Sequence, residues 1–215
     1  MPIIDIFLRG GVVMLPLLGL SILVTALIFE RILFWYQLVR QQDRIVREVL
    51  GLYRRSVKAA LQKLQQHSYL PVARIFLAAL ELDRPTPEEF RLALETAAQA
   101  ELPLLKRFNT VFDTAISVSP LLGLLGTILG LIGSFASLRL GDIGGTQTQG
   151  VTAGISEALI STASGLVVAI ATLLFANTFR GLYQRQIALI QEYGGQLELL
   201  YRRRYERGST HAPTQ

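Results

Sequence analysis

Three stretches of the chain carry no charged residue, 10–29, 114–138 and 158–179, and they are 20, 25 and 22 residues long. Each reaches the roughly 20 apolar residues a helix needs to cross a bilayer, so three spanning helices are predicted. Beyond the first stretch the pattern becomes amphipathic: Ile45, Val46, Val49, Tyr53, Val57, Ala60, Leu61 and Leu64 recur three or four apart with Arg, Gln and Glu between them. That period predicts one helix continuing out of the first span. A second short helix is predicted over 70–82. A third opens at Thr86, Pro87, Glu88, Glu89, where a cap, a first-turn proline and a capping-box glutamate stand in order. It is expected to run into the second span, kinked at Pro103 and Pro120. Past Phe179 a further helix through Tyr201 carries Leu182, Ile187, Leu189, Ile190 and Leu197, and the polar 208–215 tail is expected to be disordered. No internal repeat of fixed period is visible.

Composition fits this picture. Of 215 residues 51% are hydrophobic and 17% charged, the balance of a membrane bundle rather than a soluble globule. The first apolar run is longer than a signal-peptide core. It leads into Glu30, Arg31 and the aromatic group Phe34, Trp35, Tyr36, so a retained helix with an interfacial belt is expected. Zero cysteines exclude disulfides and thiolate chemistry, and His67 and His211 stand apart, so no metal, no cofactor and no enzymatic activity is indicated.

The net charge of +5 would suggest nucleic acid in a soluble chain; here it sets orientation instead, and no nucleic-acid partner is expected. Thirteen Lys or Arg lie between the first and second spans and six follow the third. Only Arg9 and Arg139 fall on the other side. Nineteen against two places the N-terminus outside and the C-terminus in the cytoplasm. The expected organisation is therefore residues 1–36 outer N-terminus and first span, 37–111 cytoplasmic helical domain, 112–138 second span, 139–152 glycine-rich outer loop, 153–179 third span, and 180–215 cytoplasmic helix and tail. The triplet Arg202, Arg203, Arg204 near the end reads as a solvated or lipid-facing charge run.

Inside the spans a polar line stands out. Gly123, Gly126, Gly130 and Gly133 are spaced three, four and three, which predicts one small-residue face for helix packing. Thr127 and Ser134 flank that face with hydroxyls. On the third span Glu157, Ser161, Thr162, Ser164, Gly165 and Thr172 share one side, with Leu159, Leu166, Val167, Ile170 and Leu174 opposite. A polar stripe in hydrocarbon is expected to face a bundle interior, a water-filled cavity or a partner helix. Glu157 reads equally as a functional carboxylate at membrane depth or as an interfacial residue near its own helix N-terminus. If the second and third spans are antiparallel neighbours, Thr127 joins Glu157 and Thr162 in one lining. Hydroxyls relay but do not store a proton at neutral pH. Either another chain supplies a titratable group, or this is not a proton path.

The strings VSPLLGLLGTILGLIGSF (118–135) and VTAGISEALISTASGLVVAIATLLFANTF (151–179) resemble the two signature spans of the MotA/TolQ/ExbB proton-channel family. The three-span layout resembles its ExbB and TolQ branches. The resemblance aligns Thr127 and Thr162 with the family's pore threonines and Glu157 with its acidic third-span residue. It also places Pro120, Gly123, Gly126 and Asn177 on motif positions. Ala153 and Ala171 stand where the family often has proline.

The resemblance implies an all-α integral membrane protein of the bacterial inner membrane, embedded in lipid, that forms a homopentamer around two helices of an ExbD- or TolR-like single-span protein. The partner's aspartate would titrate, and a TonB- or TolA-like transducer would carry the work outward. It leaves an ExbB role, a TolQ role and sodium coupling open. From the residues alone, a passive helical scaffold and, with less support, an intramembrane enzyme also remain.

Overall fold

The computed structural model describes residues 10–137 and 146–209. All the elements among them are helices: α1 (Met14–Arg55), α2 (Val57–Gln66), α3 (Pro71–Leu80), α4 (Pro87–Leu105), α5 (Asn109–Ser137) and α6 (Thr146–Ser209). Stretches of α1, α5 and α6 are long and apolar enough to cross a membrane. The protein is an all-α integral membrane protein with three such helices. The glycine-rich loop of 141–145, Arg9, Arg139 and the tail of 210–215 lie outside the described residues.

Helix ends follow local chemistry. α1 carries Arg54 and Arg55 in its last turn, where cations complement the helix dipole. It then stops at Ser56, whose extended backbone (φ −153°, ψ 117°) leaves the helix while its hydroxyl accepts the Ala59 amide and caps α2. The single amphipathic helix expected through Leu64 is thus two, because the hydrophobic period continues across a residue that prefers to cap. α4 opens with the expected capping box: the Thr86 amide donates to Glu89 Oε2 at 2.7 Å and the Glu89 amide to Thr86 Oγ1 at 3.3 Å.

α4 does not run unbroken into the second span. It ends two residues after Pro103, and the chain reverses its local twist at Phe108 (φ 69°) before α5 begins at Asn109. Pro120 does lie inside α5. By contrast α6 is one helix of 64 residues. It begins at Thr146, earlier than the expected third span, and keeps going through Ala153, Ala171 and Phe179. With alanine at those two positions, no ring interrupts the backbone ladder.

The chain divides into two compact units, Met1–Arg31 with Phe108–Phe179, and Ile32–Arg107 with Arg180–Gln215. The first holds the paired spans. Val13, Met14 and Leu17 of α1 form a small core there with Leu122 and Val168. Phe112 packs on Phe179 with centroids 5.9 Å apart, and the Arg31 guanidinium, 2% exposed, lies 5.3 Å from the Phe108 ring. Only 22 to 28% of each span is buried within the chain, so most of its apolar surface is left for lipid or other chains.

The second unit is a soluble-type helical core. α3 buries Val72, Ala73, Ile75, Phe76 and Ala79. Phe90 stacks on Tyr201 at 4.0 Å. The Arg74 fork grips Glu101 through Nε–Oε1 at 2.6 Å and Nη2–Oε2 at 2.5 Å, and its Nη1 donates to the Ser68 and Tyr69 carbonyls. Gln186 donates to buried Gln42, and the Tyr193 hydroxyl donates to Asp43 at 2.7 Å.

Candidate functional site

The second and third spans pack backbone to backbone. A β-carbon on Gly165 would stand 2.4 Å from the Ser119 carbonyl oxygen, one on Gly123 would stand 3.0 Å from Ser161 O and Thr162 Cα, and one on Gly130 2.7 Å from Gly154 O. One on Gly126 would meet Ser161 Oγ at 2.4 Å, and one on Gly154 would meet Ser134 Oγ at 2.1 Å. Positions rise along α5 as they fall along α6, so the two helices are antiparallel neighbours. The small residues permit an approach that any side chain would block.

Gly133 is the exception among the four expected packing glycines, since nothing lies within 4 Å of where its β-carbon would be.

Close approach brings hydroxyls together. Thr127 Oγ1 and Thr162 Oγ1 are 2.5 Å apart, from opposite helices. Both also reach the Gly123 carbonyl, at 3.1 and 3.2 Å, and Ser161 Oγ reaches it at 3.3 Å. Three hydroxyls therefore converge on one carbonyl oxygen. This oxygen went unnoticed in the sequence because a backbone acceptor leaves no residue-type signal. Ser134, 3% exposed, donates to Gly130 O and Val151 O, and Ser161 also donates to Ala158 O.

The expected stripe on the third span faces inward: Ser161 and Thr172 are buried and Thr162, Ser164 and Glu157 half-buried, while Leu159, Val167 and Leu174 are about two-thirds exposed. Thr172 donates to its own helix at Val168 O.

Glu157 does not join the hydroxyl pair. It lies five residues before Thr162, about 7.5 Å along α6, and its carboxylate rests against Gly11. A β-carbon there would be 1.7 Å from Oε1, and Gly11 has φ +72° besides, so two separate constraints call for glycine. Nor does Glu157 cap its own helix, since α6 starts eleven residues earlier and a dipole acts within the first turn. The carboxylate instead lies beside Gly11, three residues before α1 begins at Met14. The Gly10–Gly11 pair before the first apolar run was the available signal for this contact. Among the described residues no cluster of His, Cys, Asp or Glu could hold a metal ion.

This arrangement can hold two helices in register and present hydroxyl oxygens at membrane depth. It can pass a proton along a hydrogen-bonded pair. It has no group in the pair that stores one.

Comparisons with known proteins bear directly on it. The profile of the MotA/TolQ/ExbB proton channel family matches residues 57–192, more than half of the chain and inclusive of Thr127, Glu157 and Thr162. A protein of Synechocystis sp. named as biopolymer transport protein ExbB-like 3 is 64% identical over 196 residues, covering 91% of this chain and 93% of its own. ExbB-like 1 of the same organism is 43% identical over 202 residues, covering 93% and 79%. The Tol-Pal system protein TolQ of Haemophilus influenzae is 38% identical over 104 residues, covering 47% and 42%. With a family match over most of its helices and long relatives at these identities, the chain belongs to the MotA/TolQ/ExbB proton channel family, on the ExbB side of it.

Proposed function

We propose that this protein is the channel subunit of an ExbB–ExbD-type inner-membrane complex that uses the proton motive force to drive TonB-dependent transport across an outer membrane. The observation that carries the reading is the Thr127–Thr162 hydroxyl pair at 2.5 Å, set on the inward face of the paired spans. Such a pair relays a proton but needs a titratable neighbour. An ExbD- or TolR-like single-span helix inserted among five copies of this chain would bring an aspartate to it, and the outward apolar faces would pack against other copies and lipid. Each proton crossing the membrane releases about 2.3 kcal/mol per 100 mV, which relative rotation of the two components would pass to a TonB- or TolA-like transducer.

In this account the N-terminus is periplasmic and the C-terminus cytoplasmic, a placement supported by nineteen cations against two. Thr127 and Thr162 contact the partner carboxylate. Glu157 fixes the start of α1 beside the entry of the path. Gly123, Gly126 and Gly130 hold the spans close, and Ser134, Ser161 and Ser164 extend the polar face.

The test is proton flux in liposomes holding the chain with its single-span partner. Thr127→Val and Thr162→Val should assemble normally and lose most flux, while Thr→Ser at either position should retain it. Valine variants that conduct like the native protein would leave a passive scaffold as the better account. Native mass spectrometry should find five copies around two single-span chains. The TolQ match, over about half the chain, keeps a Tol-Pal envelope role as the second reading; the identity of the co-purifying transducer separates the two.

A further inference from the structure

The arginine triplet near the C-terminus is not one uniform charge run. Arg202 turns toward Glu88 at 3.5 Å and Glu198 at 3.6 Å. Arg203 and Arg204 instead join Arg207, and with Arg54 and Arg55 from the end of α1 they line a concavity of 530 Å³. Tyr53 and Leu200 complete its wall, and no carboxylate among the described residues lines it. Five exposed arginines thus line one open concavity within the second unit, and none of them forms an ion pair with a described residue.

Helix dipoles explain cations in the last turn of α1 and in the last turn of α6, one helix at a time. They do not explain why both basic turns converge. Gathering five like charges raises the local positive potential, which solvent and salt screen in part and an anion among them would relieve.

The wall fits a particular chemistry. Guanidinium forks bind phosphate oxygens in pairs, and several forks around one space match several linked phosphates. The volume lies in the range of small-molecule sites and exceeds what a single phosphate ion fills. Tyr53 adds a hydroxyl; burial pushes its phenol pKa up, and Arg204 nearby pulls the other way. Arg54 lies eighteen residues beyond Tyr36 along the same helix, roughly 27 Å from the aromatic belt. That is far from a lipid surface and favours a soluble ligand.

We infer that the concavity lined by Arg54, Arg55, Arg203, Arg204 and Arg207 is a binding site for an anion carrying two or more linked phosphates. It clamps the end of α1 to the end of α6 when filled.

The experiment uses the full-length protein in nanodiscs of zwitterionic lipid, titrated with inorganic tripolyphosphate by calorimetry at fixed ionic strength. Saturable binding at one site per chain is expected, weakened at least about tenfold in the R203Q/R204Q variant and unchanged in Arg91→Gln, whose partners are Glu88 and Glu95. The double variant should melt no lower than the native protein without ligand, because it removes like-charge repulsion. A second arm uses nanodiscs containing anionic phospholipid and counts retained lipids by native mass spectrometry. Lipid retention lost in R203Q/R204Q, with no tripolyphosphate binding, would overturn the linked-phosphate site and assign the arginines to lipid headgroups. Absence of saturable binding in both arms, equal affinity in the double variant, or full displacement by sulfate at matched ionic strength would overturn the site.

Discussion

Gly165→Ala is the sharpest test of the span pairing. The added methyl would stand 2.4 Å from the Ser119 carbonyl oxygen and 3.2 Å from Gly123 Cα and N, and all three are backbone atoms that no rotamer change can move aside. Ordinary contact at 3.4 Å or more demands that α5 and α6 separate locally by about 1 Å. Overpacking of this kind costs about 3 kcal/mol at the upper end of its usual range, and alanine returns about 1 kcal/mol as the better helix former. The net is a loss of about 2 kcal/mol. The same separation would stretch the Thr127–Thr162 contact from 2.5 Å to a distance at which a hydroxyl pair is weak. Gly133→Ala is the paired control, since open space there leaves only the propensity gain. Reversible unfolding in mixed micelles should show G165A destabilised and G133A equal to or above the native protein, with proton flux falling only in the former. Native stability in G165A would refute the close antiparallel packing.

Three further outcomes follow from other parts of the chain. Gly11→Ala should destabilise by about 2 kcal/mol or more in the same unfolding assay, because it combines a positive φ with a clash against the Glu157 carboxylate; Glu157→Gly in that background should recover part of the loss. Removing either member of the Arg74–Glu101 fork should cost about 2 kcal/mol, less than a fully buried pair because Arg74 is partly exposed. A double-mutant cycle with R74A and E101A should give a coupling of at least about 1 kcal/mol, and additive losses would contradict it.

The fourth outcome concerns pH. Burial first, and the bond to Asp43 second, push the Tyr193 pKa up from 10 to about 12. The folded state therefore holds that proton more tightly than the unfolded chain. The associated stability is intact below pH 10 and is lost as pH rises to about 12. The advantage of the native protein over Tyr193→Phe should shrink across that window, and a constant gap would show that the phenol is not the titrating group.

Much of the fold was legible because its signals are local. The uncharged runs marked the spans, and the Thr86–Glu89 box marked the start of α4 to the residue. The inward stripe on α6 followed from helical period alone. What escaped depended on the third dimension. Ser56 breaks a helix whose hydrophobic pattern continues past it, so capping competes with period and wins. Gly133 shares the spacing of the packing glycines but has open space where its β-carbon would be. Glu157 reads equally as a functional or an interfacial carboxylate, and only chain tracing brings Gly11 to it. The arginines at 54 and 55 and those at 203, 204 and 207 are about 150 positions apart, beyond any sequence window.

The hydroxyl pair obeys a rule familiar from ice. With the Ser161 proton on Ala158 O, its shorter bond at 2.9 Å, two protons serve the oxygens of Thr127, Thr162 and Gly123. If both hydroxyls pointed at the carbonyl, the two oxygens would face each other at 2.5 Å with no proton between them. One must therefore donate to the carbonyl and the other to its fellow threonine, which gives two orientations of equal connectivity. Their degeneracy is worth about 0.4 kcal/mol of entropy, RT ln 2. In the proposed relay it would also require a reset: each transfer would leave the pair polarised the wrong way for the next, and both hydroxyls would have to swing back before another proton followed. A serine at either position can make that swing, and a valine has nothing to turn.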